Sequence, residues 1–453
     1  MTEGVPQYVV AIVGGATAGA EAAGKLAARG ITAVVFEQNA RPYGKIEDGL
    51  PRWHTKLRRK EYGTINARLD RPGVHFVPNT KIGRDVDFKD LVEAWGFSAV
   101  ILAHGAWRDR SLPIEGADRY VDRGLVYQNS FIYWFNHFTE RGYDGPQYEV
   151  PDGAIVVGGG LASIDVVKAL QLEGVRLALA EQGIDEEIEK LEAEGIPEVL
   201  AEHGLTWKKL GLHGATLFYR RRIEDMPLTD IPEGSDEAKL QKLEGLRRRI
   251  LEKAMQKYCF GVCPLHAPVA LLVEGERLVG LRFQRTRVDG GKVVPIDGAF
   301  EDVHAPLVVS SIGSVPEPMS GIPMRDELYE WADHQLGRLG DHPTVFSVGN
   351  VVTGKGNISL SRKHSTAVST HVIERFLGLA NGKHEGEDGL LRSAPEAVDT
   401  AVERVADVVK DGRPLSPAEA EALVARVRAR QEAVGYTGSY REWLEQVTPP
   451  DLV

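Results

Sequence analysis

Cysteine is nearly absent: Cys259 and Cys263 are the only two in 453 residues. A disulfide-stapled secreted domain is thereby excluded, and no four-ligand zinc pattern is visible, so no metal site is expected. Long hydrophobic runs are also missing. Nothing approaches the roughly 18 apolar residues of a membrane helix. The opening MTEGVPQYVVAIVGG has no basic leader before an apolar core, so no secretory leader is expected and the cytoplasm is the expected compartment. Positive charge is in short supply: 54 Lys and Arg stand against 65 Asp and Glu, for a net charge of −11. Phosphate backbones want a broad basic surface, so nucleic acid is not expected as the main partner.

What is present is a unit of strand, glycine turn and alanine-rich helix, found twice. The first copy is YVVAIVGGATAGAEAAGKLAARG (8–30) and the second GAIVVGGGLASIDVVKALQLEG (153–174). In each, a continuous β-branched run reads as a buried parallel strand. Two such units predict two dinucleotide folds in an α/β chain.

The first turn, Gly14-Gly15-Ala16-Thr17-Ala18-Gly19, departs from G-x-G-x-x-G only at Ala16, where a glycine lets the backbone approach a pyrophosphate. The helix that follows offers free N–H groups and a positive dipole end to phosphate. Glu37 closes the next strand, 18 residues after Gly19, where a carboxylate accepts from ribose hydroxyls. The second turn, Gly158-Gly159-Gly160-Leu161-Ala162-Ser163, ends in a small residue that permits close helix–strand packing. Its next strand runs into Arg220-Arg221-Arg222 rather than an acid. Arginine matches the 2′-phosphate of NADP(H) with forked, charge-assisted bonds. Alternate strand residues face opposite ways, so one or two of the three are expected to reach it, Arg221 and Arg222 first. A solvated arginine run is the plainer alternative.

Further short strands read at 33–37, 99–103, 215–219, 307–313 and 344–350, and residues 269–288 alternate like a hairpin around Gly275. Residues 178–212 are charged and helical where a βαβ unit needs only a few residues, which predicts an inserted helical pair. The tail from about 385 is helical too, with a capping box at Ser416-Pro417-Ala418-Glu419.

Two more segments resemble parts of glutathione-reductase-type flavoproteins. ILAHGAWRDRSLPIEGAD (101–118) resembles their strand that crosses back to the flavin, with His104 in place of threonine. TVFSVGNVVTGKGNI (344–358) resembles their closing segment, with Asn350 in place of aspartate. From about 8 to 375 the chain resembles the adrenodoxin-reductase type of ferredoxin–NADP reductase and, more distantly, the glutamate synthase small subunit. The specific pieces are IGRDVDFKDL (82–91), SFIYWFNHF (130–138), GGGLASIDV (158–166) and GNVVTGKGNISLSRK (349–363), while YRRRIEDMP (219–227) leans to the glutamate synthase side.

The resemblance implies two Rossmann-like domains. An FAD domain (1–150 and 306–384) is interrupted by an NADP domain (151–305) carrying the insert 178–212, and a helical extension (385–453) follows. It implies that Gly14, Gly15, Ala16, Ala18, Gly19, Glu37, Gln38, Gly44 and Lys45 hold the ADP half of FAD, with Ile82, Ala103, His104 and Gly105 beside them. Gly349, Asn350, Gly356, Asn357, Ile358 and Ser359 would run along the flavin. Gly158, Gly160, Leu161, Ala162, Ser163 and Arg220, Arg221 and Arg222 would hold NADP(H). His54, in LPRWH, falls near a proline–histidine segment that the family brings to the flavin, and stands as the one catalytic candidate. An ordinary surface histidine is the alternative.

Electrons would pass from NADPH through FAD to a small acidic iron–sulfur protein such as ferredoxin, or in the reverse direction. Other readings stay open. The C-x₃-C pair could form a redox disulfide, though two small core residues is the simpler account. The chain could be the electron-input subunit of a larger complex, docked through 178–212 or 385–453. It could be a flavin-holding scaffold without activity. The basic stretch Arg52, Lys56, Arg58, Arg59 and Lys60 is either a docking patch for an acidic partner or a solvated helix face.

Overall fold

The computed structural model describes residues 8–228, 236–333, 337–353 and 393–449. Strands β1 (Val9–Val13), β2 (Thr32–Phe36), β3 (Val74–Val77) and β4 (Ala99–Leu102) come first. They are followed by β5 (Leu125–Tyr127), β6 (Ile155–Gly158), β7 (Thr216–Tyr219) and β8 (Gly261–Pro264). Three long strands come next, β9 (His266–Glu274), β10 (Arg277–Asp289) and β11 (Lys292–His304), then β12 (Val308–Ser311) and β13 (Val345–Ser347). Two five-stranded sheets result, ordered β13-β4-β1-β2-β3 and β5-β12-β6-β7-β8. Every neighbour pair in both is parallel. Helices cover both faces of such a sheet, which is why strands such as VVAIV are buried at every position.

The glycine-turn helices are α1 (Thr17–Ala28), followed by α2 (Lys45–Asp48) and α3 (Thr55–Leu69), and, after α4 (Gln128–His137), α5 (Leu161–Ala180). The second sheet takes in 125–127 and 308–311, so the expected joins at 150/151 and 305/306 fall inside it. A parallel sheet needs strands on both sides of β6, and the chain supplies them from far upstream and downstream.

Residues 178–212 hold three short helices rather than a pair: α6 (Ile188–Glu194), α7 (Ile196–Glu202) and α8 (Trp207–Leu210). Ile188, Leu191, Ile196, Val199 and Leu200 are buried in one core with α5 and with α9 (Glu237–Tyr258), a helix not anticipated from the sequence. The hairpin appears as β9 and β10 around Gly275, and β11 adds a third antiparallel strand.

The tail forms α10 (Ser393–Asp411), α11 (Pro417–Ala433) and α12 (Tyr440–Val447), with the capping box at Ser416 and Glu419 in place. These helices pack on the first sheet. Val402, Val405 and Ala406 share a core with Ala20, Ala22 and Leu26 of α1. Gln431 donates to the Phe76 carbonyl on the outer strand β3 (2.7 Å), and Trp443 donates to the Ala40 carbonyl (2.8 Å). Among the described residues no helix is long and apolar enough to cross a membrane.

Candidate functional site

Two cavities open where the glycine turns leave the carboxyl ends of their sheets, the usual place for ligands in open α/β sheets. The first, about 330 Å³, is lined by Gly14, Ala16, Glu37, Gly44, His104 and Gly349 among others. The second, about 880 Å³, is lined by Gly158–Ser163, Tyr219, Arg220 and His266 among others.

The first turn is shaped by contacts that only glycine allows. Gly14 has φ +100°, and a Cβ there would lie 2.8 Å from the Ala103 carbonyl oxygen. A Cβ on Gly19 would overlap the Gly14 carbonyl oxygen. Ala16 does carry a methyl, and the structure accommodates it from the other side: a Cβ on Gly44 would lie 2.9 Å from the Ala16 Cβ. The space lost at one position is returned at the other. Ala16 caps α1 without a side-chain bond, so the first N–H groups stay available to phosphate.

Glu37 is buried and accepts from the backbone N–H of Gly15 (2.7 Å) and of Asn39 (3.0 Å). Burial pushes it up to about 7 against those two bonds. Its remaining lone pairs suit ribose hydroxyls. His104 extends the fit. Tyr329 donates its hydroxyl proton to the Glu317 carbonyl (2.6 Å), so its oxygen accepts from His104 Nε2–H (3.1 Å). Nδ1 is thereby left as an acceptor, buried and without a partner among the described residues. Burial drives the ring down to about 4, so it is neutral at pH 7. A buried open acceptor calls for a hydroxyl donor, and the polyol and ribose of FAD provide them. The residues present fit the group.

In the second turn, a Cβ on Gly158 would overlap Ser163 and the Ser311 carbonyl, and one on Gly159 would overlap the Tyr219 ring. Gly160 meets nothing within 4 Å, and its side opens to the cavity. Ser163 Oγ donates to the Ser311 carbonyl (2.9 Å), fastening helix to strand. Gly160 caps α5, again without a side-chain bond.

The arginine triplet divides differently from expectation. Arg220 lines the cavity. Arg222 is held by Asp225 in a bidentate pair (3.0 and 2.9 Å) and reaches Glu244. Arg221 donates to the Gly291 carbonyl (3.0 Å). The acid three residues downstream holds the Arg222 guanidinium through both of these bonds.

Lys45 reaches beyond the first cavity, where it was expected. It lines both cavities, as do Ile46, Ala106 and Asn350. His54 lines neither: it is fully buried, and its Nε2 accepts from the Trp53 indole N–H (3.0 Å). Gln38, Ala18, Ile82, Ala103, Gly105 and Asn350 line the first cavity, and Leu161 and Ala162 the second. Gly15 and Gly19 shape the turn behind the wall. Gly356, Asn357, Ile358 and Ser359 lie outside the described residues.

Neither cysteine lines either of these two cavities. Burial and Glu198 push the Cys259 thiol up to about 11, and burial with Glu301 raises Cys263, so both are poor nucleophiles. The basic stretch is not one surface. Arg58 is buried and donates to the Glu47 carbonyl and Tyr62 (both 3.1 Å), and Arg52 lies against Phe135 and Phe138. Lys56, Arg59 and Lys60 are exposed. Trp107 and Glu317 in the first cavity, and Arg110 and His266 in the second, were not foreseen. Trp107 and Arg110 lie in the 101–118 segment without having been singled out there, and Glu317 and His266 come from segments with no motif of their own.

No family profile matches the chain. It is 25% identical over 356 residues to the mitochondrial NADPH:adrenodoxin oxidoreductase of Arabidopsis thaliana, covering 72% of this chain and 70% of that one. It is 35% identical over 168 residues to the glutamate synthase [NADPH] small chain of Bacillus subtilis, covering 35% and 31%. Identity to the NADPH-Fe(3+) oxidoreductase subunit beta of Geobacter sulfurreducens is 27% over 326 residues, 69% of this chain and 38% of that one. The chain thus spans about a third of the last two relatives. Mycobacterium tuberculosis FprA in complex with NADPH has the same fold, with a TM-score of 0.60 at 20% identity over 94% of this chain and 90% of that one. The chain is thus similar in sequence to NADPH-dependent oxidoreductases and shares the fold of FprA, a likeness that points to the FAD-dependent pyridine-nucleotide oxidoreductase superfamily.

Proposed function

We propose that this chain oxidises NADPH using FAD held in the first cavity, and passes the electrons to a small iron–sulfur protein. The observation that carries the reading is the shared wall: Lys45, Ile46, Ala106 and Asn350 each line both cavities, so dinucleotides lying in the two would bring their rings together there. Bound FAD supplies the capacity to take up two electrons at once and release them singly. The chain's own residues do the holding and aiming. The uncapped starts of α1 and α5 take the two pyrophosphates. Glu37 accepts from the ribose of one dinucleotide, and Arg220 meets the 2′-phosphate of the other. Because ring stacking suffices for hydride transfer, no side-chain acid or base is assigned.

The Arabidopsis relative, named for adrenodoxin, supports an iron–sulfur acceptor. The Bacillus relative, a small chain by name, supports a second reading in which this chain feeds electrons into a larger complex. The exposed Lys56, Arg59 and Lys60 are the part of the basic stretch that would meet an acidic partner. We assign the reaction to the cytoplasm.

Anaerobic titration of the purified protein tests the reading. FAD should be present and bleached by NADPH, with NADPH favoured over NADH by roughly ten- to a hundred-fold, the worth of a charge-assisted bond. Arg220→Ala should remove most of that preference. A protein that cannot be loaded with FAD ends the proposal, and a loaded protein that NADPH does not reduce is a scaffold. A wild type equally served by NADH removes the role given to Arg220.

A further inference from the structure

Lys45 is the first residue of α2 and follows Gly44, whose φ is +50°. Its ammonium donates to Asn129 Oδ1 (3.1 Å) and Ser314 Oγ (3.0 Å) and sits 5.4 Å from the centre of the Trp107 ring. The orientation of Asn129 is settled by its own bonds. Nδ2 donates to the Trp107 carbonyl (2.8 Å) and to Ser314 Oγ (3.1 Å), which leaves Oδ1 to face the lysine.

Both acceptors of the ammonium are neutral. Among the described residues no carboxylate lies within ion-pair distance of it, and the acid that acts on it most is Asp109. Asp109 instead accepts from the backbone N–H of Asn129 (3.1 Å). Burial pulls Lys45 down to about 8 and pushes Asp109 up to about 6, each opposing the other's shift. A half-buried cation is costly unless something negative answers it. Two of its three N–H bonds are accounted for, and the group borders both cavities where they adjoin.

Resting on the functional reading above, we propose that Lys45 sets the reduction potential of the bound flavin: its ammonium, held by Asn129 and Ser314, faces the reacting end and stabilises the negative charge the ring system gains on reduction. This differs from a role in gripping the ADP half. It also makes Asp109 an opposing control, because its carboxylate weakens the field of the lysine.

The test is a reductive titration of FAD-loaded protein against a dye of known potential. Lys45→Met should keep its FAD but become harder to reduce, with at least a tenfold fall in the reduced-to-oxidised ratio at fixed solution potential. That fall is about 30 mV for a two-electron couple. Lys45→Arg should restore most of the loss. Asp109→Asn should shift the potential in the opposite direction. This second variant decides the matter if Lys45→Met fails to retain FAD. An unchanged potential in either loaded variant overturns the proposal. Wild-type protein that holds no FAD, or holds it unreduced by NADPH, fails the functional reading instead, so the two failures are separable.

Discussion

Helices α1 and α5 each begin at a glycine turn without a side-chain cap, yet they are fastened to the molecule in opposite ways. Helix α1 meets α10 through ion pairs at the surface, Lys25–Asp399 (2.8 Å) and Arg29–Asp407 (2.9 Å), with side chains 29–70% exposed. Helix α5 carries a pair with no exposure to speak of: Lys168 (0%) and Glu192 (1%) at 2.9 Å, with Tyr258 Oη 3.1 Å from the same carboxylate oxygen. The Lys168 ammonium also lies between the rings of Trp53 (4.7 Å) and Tyr258 (4.6 Å). Sequence similarity between the turns therefore says little about what holds them. Both helices rest on apolar packing; α1 adds charges that are mostly at the surface, apart from the buried Glu21 facing Arg68, and α5 adds an ion pair that must be complete.

The largest expected effect follows from removing half of the buried pair. Lys168→Met should cost about 3–5 kcal/mol, because it removes the ammonium that lies 2.9 Å from a carboxylate buried in the core. Denaturant unfolding reads this directly, and a loss under about 1 kcal/mol would show that water reaches the site. Next come paired glycine substitutions. Gly19→Ala forces a methyl onto the Gly14 carbonyl and should cost roughly 2–4 kcal/mol and most FAD binding. Gly160→Ala meets nothing in the protein, so stability should stay within about 0.5 kcal/mol while NADPH binding weakens. Equal melting temperatures for the two variants would erase the contrast between the turns.

The seam between the two regions should answer to pH. His137 on α4 contacts Asp48 on α2 (3.1 Å) and Glu140 (2.7 Å). Burial works against its charge, but the two carboxylates outweigh burial and raise it to about 9. A raised folded value means the stabilisation is complete below the unfolded value near 6.5 and disappears as pH climbs through about 9. It amounts to on the order of 3 kcal/mol. Unfolding measured from pH 6 to 10 should lose that amount in wild type and stay flatter in His137→Gln. The smallest effect belongs to Arg29→Ala, at under about 1 kcal/mol.

Much of the scaffold was legible in local pattern. Glycine turns, β-branched runs and the Glu37 position depend on contacts within one βαβ unit, and a reader of residues can follow them. What escaped depends on partners distant in sequence. The Asn129 and Ser314 that hold Lys45 lie 84 and 269 residues away from it, so its place between the cavities has no local sign. The burial of Arg58 against Glu47 is equally invisible in a run of basic residues. The capture of Arg222 is different, because Asp225 stands in the same turn, and an R-x-x-D spacing was there to be weighed. The extent of the second sheet was missed because its strands come from both flanks of the segment that looked like a domain.

Val398, on the C-terminal helix α10, forms part of the wall of the first cavity, which is also lined by Val13 and Gly14. The chamber therefore has its first and last walls almost four hundred residues apart in the chain. During synthesis, which proceeds from the N-terminus at about 5–20 residues per second, the inner sheet, with strands between 125 and 311, can close well before α10 has been made. The chamber that encloses it in sequence is completed afterwards. A nascent chain would thus complete the nucleotide fold it encodes second before the one it encodes first, and FAD would be enclosed only as the last helices settle.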